Sequence, residues 1–358
     1  MRNRNRIGLL IVLVSIITVT GCKKHTANPE QEAPETLSHG ILVLNEGLFN
    51  QNNSSLSWIN TSDHSVNSSF FEQKTGRGLG DTGNDLKRYG NKLYVVVNVS
   101  STVEILDATT GKSLKQLSMQ HNGVPKQPRA IAFFGGKAYI TCYDGFVDVL
   151  DTAQLVITQR IPTGPNPEGL AVSNGKLYVA NSGGLNYPNV DSTVSVIDLN
   201  TYQEITRITV GNNPGSVCVD SEGDIYVISR GNYSSIPSRM HRINTQTDQK
   251  EQTFSFDASG ISLFNTHLLI SYYDYSNSTS AIGLFNAQTE QLESASFINT
   301  SNIHTLYGVY YSPLTQTIYC SDANEFTSTG FLHLFQENGA FIRSYSTGLN
   351  PSKIIVYE

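Results

Sequence analysis

The side chains able to do chemistry in this 358-residue chain fall in short clusters, and their vocabulary is that of binding. Tyr272-Tyr273-Asp274-Tyr275 sets three phenol rings and a carboxylate in a row, more than a turn requires. Rings with polar ends offer flat contact area and hydrogen bonds together, which suits a large polar ligand or a protein surface. Similar residue types recur at Asn45, Glu46, Tyr143, Asp144, Asn181, Tyr187, Arg230, Asn232, Tyr233, Asp322, Asn324 and Phe326, with Arg129 and Glu168 as further charged candidates. Taken singly, Asn and Asp at such places are also ordinary turn residues. Asp81-Thr82-Gly83-Asn84-Asp85 is rich in oxygen but lacks the other ligands of an EF-hand loop, so Asp81 is expected to cap backbone N–H groups at a corner. There is no G-x-S-x-G, no H-E-x-x-H and no P-loop. The eight histidines are scattered, and no Cys/His spacing suggests zinc. The chain is therefore expected not to be an enzyme and to carry no metal or cofactor.

The elements that must position these residues repeat. A short apolar run, usually with a central Tyr, recurs seven times, as in Lys92-Leu93-Tyr94-Val95, Lys137-Ala138-Tyr139-Ile140 and Lys176-Leu177-Tyr178-Val179. An alternating run ending mostly in Asp or Asn follows each copy, and its end residues (60, 107, 151, 198, 244, 286 and 336) are spaced 47, 44, 47, 46, 42 and 50. A Pro-led run precedes several copies: Pro128-Arg129-Ala130-Ile131, Pro167-Glu168-Gly169-Leu170, Pro214-Gly215-Ser216-Val217 and Pro351-Ser352-Lys353-Ile354. Gly135-Gly136 and Asn174-Gly175 then supply tight hairpin turns. A more polar fourth strand ends each unit. Four short strands in seven units predict an all-β, seven-bladed β-propeller, with strands A (Pro run), B (Tyr run), C (Asp/Asn run) and D. The last run, Pro351 to Tyr357, is an A strand with nothing after it, and the first B strand at Ile41 has no A strand before it. The C-terminal strand is thus expected to complete the first blade and close the ring, which needs no second copy to bury its edges.

In such a ring the A strands line a central channel. The B–C and D–A connections emerge on one face and the A–B and C–D turns on the other. The B–C connections are long and varied here, and they carry most of the residues named above, with Asp81, Arg129 and Glu168 at D–A corners. That loop face is the expected binding face.

The N-terminus sets a location. Residues 1–21 have a basic start (Arg2, Arg4, Arg6) and an apolar run from Ile7 to Val19, too short for a permanent span. Val19-Thr20-Gly21-Cys22 resembles a bacterial lipobox, which implies cleavage before Cys22 and a lipid on its sulfur. Residues 22–39 read as a flexible tether and 40–358 as the propeller. Removal of 1–21 takes three of the 24 basic residues and leaves 21 against 30 acidic ones, a net charge of −9. That excludes nucleic acid and anionic lipid as the main ligand. Cys142, Cys218 and Cys320 lie in apolar strand runs and are expected to be buried thiols.

Val43-Leu44-Asn45-Glu46-Gly47, Asn53-Ser54-Ser55-Leu56, Leu79-Gly80-Asp81-Thr82, Pro167-Glu168-Gly169-Leu170 and the Lys-Leu-Tyr-Val repeats resemble the YncE-like propeller lipoproteins of Bacteroidetes. The resemblance covers residues 40–358. That group includes the BtuG type, surface lipoproteins that capture cobalamin (vitamin B12) on the loop face and pass it to an outer-membrane transporter. The self-closed ring is expected to be monomeric, and the resemblance implies a lipoprotein at the outer membrane, displayed on the cell surface or facing the periplasm. It implies a corrinoid as transported ligand and a TonB-dependent transporter as partner. Surface-export tags in that group are acidic directly after the cysteine, whereas Lys23 and Lys24 stand there here. Two other readings accompany it. One is an envelope scaffold that docks a protein on the same face. The other is a lactonase-like enzyme with a channel metal on Glu168, Asn181 and Asp85.

Overall fold

The computed structural model describes residues 36–274, 277 and 279–358. The signal segment, Cys22, most of the tether and Tyr275 lie outside the described residues. Seven four-stranded antiparallel sheets follow one another, each in the order A-B-C-D from the centre outward. Gly83–Tyr89, Pro128–Phe134, Pro167–Ser173, Pro214–Val219, Gly260–Phe264, Leu306–Ser312 and Pro351–Tyr357 are the inner strands, A. Each touches the next in a closed round. The first blade is completed from the far end of the chain: Gly40–Asn45 pairs with Ser55–Asn60 on one side and with Pro351–Tyr357 on the other. The predicted architecture and its closure therefore hold.

The repeat explains the core. B and C strands are apolar on both faces because each sheet is covered by a blade on either side. Seven apolar clusters result, one at each blade-to-blade interface. The B-strand tyrosines Tyr94, Tyr139, Tyr178, Tyr226 and Tyr319 are buried in them. Tyr178 reaches across an interface, its hydroxyl donating to Asp248 at 2.6 Å. Blade 1 has only a two-residue D strand, Val66–Asn67. The short helix Phe70–Thr75 lies next to it, stacking Phe70 on Trp58. Cys142 and Cys320 are buried free thiols, as expected, but Cys218 is only half-buried. It sits on an A strand, whose inner side borders the channel instead of another sheet. Burial still pushes this thiol up to about 12.

The C-strand position three before the last residue is polar in most blades, although it is buried. Each such residue is matched within its blade or by the adjoining loop: Glu104 to Arg77, Asp148 to Lys126 and Arg160, Ser195 to Asn181, and His333 to Asp322 and Ser344. His241 lies between two hydroxyls, with Ser229 Oγ at 2.8 Å and Thr253 Oγ1 at 3.0 Å. Burial, with Lys250 and Arg239 nearby, lowers its pKa from 6.5 to about 4. The fold therefore holds it neutral while the unfolded chain takes up a proton first. Stability is fully present above pH 6.5 and falls as pH drops toward 4, by up to about 3 kcal/mol from this residue. Denaturation of the His241→Gln variant from pH 7 to 4 should show a shallower loss than the parent; equal slopes would remove His241 as the cause.

Candidate functional site

The start of the A strand determines what the loop face presents. In six blades the ladder to strand B skips the residue after the first one. Asn84, Arg129, Glu168, Gly215, Tyr307 and Ser352 are left unpaired, together with Ala130 and Gly169 in blades 3 and 4. Such a bulge re-aims a side chain, here out of the blade and toward the channel mouth. Blade 6 alone pairs straight, from Gly260 opposite Ser271 to Phe264 opposite His267.

Four of these positions, Asn84, Arg129, Glu168 and Tyr307, build a polar cluster at the mouth. The Arg129 guanidinium donates from Nε and Nη2 to Glu168 Oε2, both at 3.1 Å, and from Nη1 to Asn84. Its plane lies over the Tyr143 ring at 4.7 Å. The Tyr143 hydroxyl donates to the same Glu168 carboxylate. Arg230 approaches it from the next blade, with Nη1 3.6 Å from Oε1. Burial pushes Glu168 up, but Arg129 and Arg230 outweigh it and hold the carboxyl below its usual range. Across the mouth, Tyr307 donates to Glu46 at 2.5 Å. Burial raises the Glu46 carboxyl against the pull of Tyr307, Arg129 and Lys353. Phe326 sets its ring edge-on to Tyr307 at 6.1 Å. Deeper, Lys353 lies 5.8 Å from the centre of the Tyr310 ring.

Of the sequence candidates, Glu46, Arg129, Tyr143, Glu168, Arg230 and Phe326 come together in this cluster. Tyr187 and Tyr233 stand on its loops, 59% and 70% exposed, and the Tyr233 hydroxyl accepts from Asn213 at 3.0 Å. Others are placed differently. Asn45 and Asn181 are not loop residues but the last residues of B strands, and both are fully buried. Asn45 accepts from Gly348 N and donates to Ser55 and Ser57; Asn181 does the same with Gly164 N, Thr193 and Ser195. Both brace the corner where the D strand turns into the next blade. Asp322 likewise ends a strand, and its carboxylate accepts from the N–H groups of His304, Thr305 and Asn324. Tyr272, Tyr273 and Asp274 are not in a loop either. They extend a B strand, paired with Ala281, Ser280 and Thr279. Tyr272 packs into the interface between blades 5 and 6. Asp144 turns outward to Arg160 of its own blade at 2.5 Å. Asn232 accepts from Ser234 N and Ile236 N, and Asn324 donates to Ser328 and Thr329; both brace their own loops.

Asn84, Tyr307, Tyr310 and Lys353 belong to the mouth and channel but were not among the candidates. Alignment of the six bulged A strands on the skipped position would have found two of them, Asn84 and Tyr307. Asp81 caps as expected, accepting from Asn50 N and Asn52 N. Asp85 accepts from Leu86 N and Ile131 N. The trio Glu168, Asn181 and Asp85 is thus committed to protein partners. No three Asp, Glu, His or Cys side chains gather as a metal site among the described residues.

A family profile described as "Domain of unknown function (DUF5074)" matches residues 39–349, every strand but the one that closes the ring. No curated protein matches the sequence. Among solved structures, hydrazine synthase of Kuenenia stuttgartiensis is similar at 16% identity and a TM-score of 0.61, over 74% of this chain and 85% of that one. A quinonprotein alcohol dehydrogenase-like protein from Bacteroides thetaiotaomicron is similar at 14% identity and a TM-score of 0.65, over 90% and 79%. The computationally designed Ika8 protein is similar at 13% identity and a TM-score of 0.56, over 88% and 90%. At these identities the likeness is one of fold.

Proposed function

This chain belongs to the DUF5074 family, and from that premise we propose that it is a non-enzymatic capture protein for a corrinoid, cobalamin foremost. The ligand would sit on the loop face and pass to an outer-membrane transporter. The observation that carries the reading is the mouth itself. Six inner strands bulge at one position, and two guanidinium groups, two carboxylates and two phenols converge there. Exposed Phe49, Leu185, Tyr187 and Tyr233 stand on the surrounding loops. A corrinoid is a broad disc fringed with amides. It needs flat aromatic contact and fixed hydrogen-bonding groups in one wide site, and this face offers both. The lipobox-like Val19-Thr20-Gly21-Cys22 supports a lipid anchor at the outer membrane.

The exposed apolar loop residues also favour a second reading, docking of an envelope protein on the same face. Isothermal titration of the full chain in detergent with cyanocobalamin separates the two. We expect one-to-one binding; no heat at micromolar protein overturns the corrinoid reading and leaves the protein partner.

A further inference from the structure

Arg230 holds a position that chemistry does not yet explain. It follows the B strand Ile225–Ser229 of blade 5, and its guanidinium lies flat over Gly215. A Cβ on Gly215 would fall 2.4 Å from Cζ of Arg230, with two of its nitrogens at 2.5 and 2.8 Å. Gly215 is the residue at which blade 5 bulges. The other bulged blades present a side chain at that point; blade 5 presents the arginine of its neighbouring strand. A glycine there is what lets the guanidinium settle into the ring.

That guanidinium is unspent. Its contact with Glu168 is 3.6 Å, beyond hydrogen-bond length. Glu168 is already occupied by Arg129 and Tyr143. Arg230 makes no side-chain hydrogen bond among the described residues, although it carries five N–H donors. One third of its side chain remains exposed, so the donors front the open mouth. Around Arg230 two guanidinium groups share the one carboxylate of Glu168, a local surplus of positive charge, the mouth's other carboxylate, Glu46, being bonded to Tyr307 on the far side. A planar, preorganised fork with free donors and surplus charge matches one chemical class, a group with two coplanar oxygens sharing negative charge.

We infer that Arg230, seated on Gly215, is an oxyanion-binding site that grips a phosphate or carboxylate group of the ligand. The inference rests on the loop face being the binding face, and it does not require the ligand to be a corrinoid. The flanking Tyr233 and Tyr143 rings would lie beside the part of the ligand next to that group.

The test titrates the full chain in detergent with inorganic phosphate and with acetate at matched ionic strength, following binding calorimetrically. Wild type should bind at least one of them, and the stronger one identifies the oxyanion. Arg230→Gln should weaken it about tenfold, as expected for loss of a charge-assisted pair. Arg230→Lys should keep part of the affinity, having charge without the fork. Arg207→Gln, on an outer strand, should leave it unchanged. Failure of both anions to bind, or equal affinity for wild type and Arg230→Gln, overturns the site. A parallel titration compares cyanocobalamin, which carries a phosphodiester, with dicyanocobinamide, which lacks it. If anions bind through Arg230 and neither corrinoid does, the oxyanion site stands and the corrinoid reading falls. If both corrinoids bind equally and Arg230→Gln changes nothing, the corrinoid reading stands and the oxyanion site falls.

Discussion

Glu168→Ala should cost the fold about 3–5 kcal/mol, measured by urea denaturation, and should abolish binding at the mouth. The size follows from what remains. Arg129 is mostly buried, with its side chain 18% exposed, and Glu168 is its only carboxylate within ion-pair distance among the described residues. Removing that partner strands a desolvated guanidinium beside Arg230 and also takes the acceptor from the Tyr143 hydroxyl. Desolvation of Arg129 is already incurred in the native state, so losing the partner costs more than forming the pair ever gained. Glu168→Gln keeps shape and one acceptor, so its cost should be clearly smaller. The double variant Arg129→Met/Glu168→Leu removes both charges and should recover much of the loss. If Glu168→Ala stays within 1 kcal/mol of the parent, the clasp does not hold the inner ring together.

A chain ending at Asn350 should not form the monomeric ring at all. The final strand supplies the whole inner edge of blade 1, pairing with Gly40–Asn45 along its length. Its side chains Ile354, Ile355, Val356 and Tyr357 pack into the clusters on both sides of that blade. Without it, Ile41 and Val43 lose cover and Gly40–Asn45 becomes an unpaired edge between two blades that can no longer be bridged. Light scattering and circular dichroism should find aggregates or strand-exchanged oligomers with no cooperative melt near the parent's. A synthetic peptide of residues 350–358 should restore the melt. A stable truncated monomer would mean that the ring holds without its closing strand.

The fold was legible because the same physics is written seven times. Each blade needs an apolar B strand with alternating C strand beside it, and seven copies at nearly constant spacing leave few architectures. The B–C loops showed Glu46, Tyr143, Arg230 and Phe326, but on the A strands the mouth was legible only where a proline marked the strand. Arg129 and Glu168 follow Pro128 and Pro167, whereas Asn84 and Tyr307 follow Gly83 and Leu306 and carried no signal. The roles of Asn45 and Asn181 were hidden for another reason. A polar residue at the end of a strand looks the same whether it points to solvent or into the blade. For Asn45 the deciding partner is the backbone of Gly348, three hundred residues away. Tyr272 and Tyr273 were misplaced because strands B and C of blade 6 are both extended, a pairing of two lengths that neither strand declares alone.

The first blade also fixes which way the molecule looks. Gly40 enters its strand at the end opposite the mouth, level with Tyr357, so both residues belong to the turn side. Just before it, Leu37 N donates to Thr109 O in a C–D turn at 2.6 Å, and His39 O accepts from Thr61 in another. The chain therefore arrives along the back of the ring. Thr36, the first described residue, lies on the side of the ring opposite the arginines and tyrosines of the mouth.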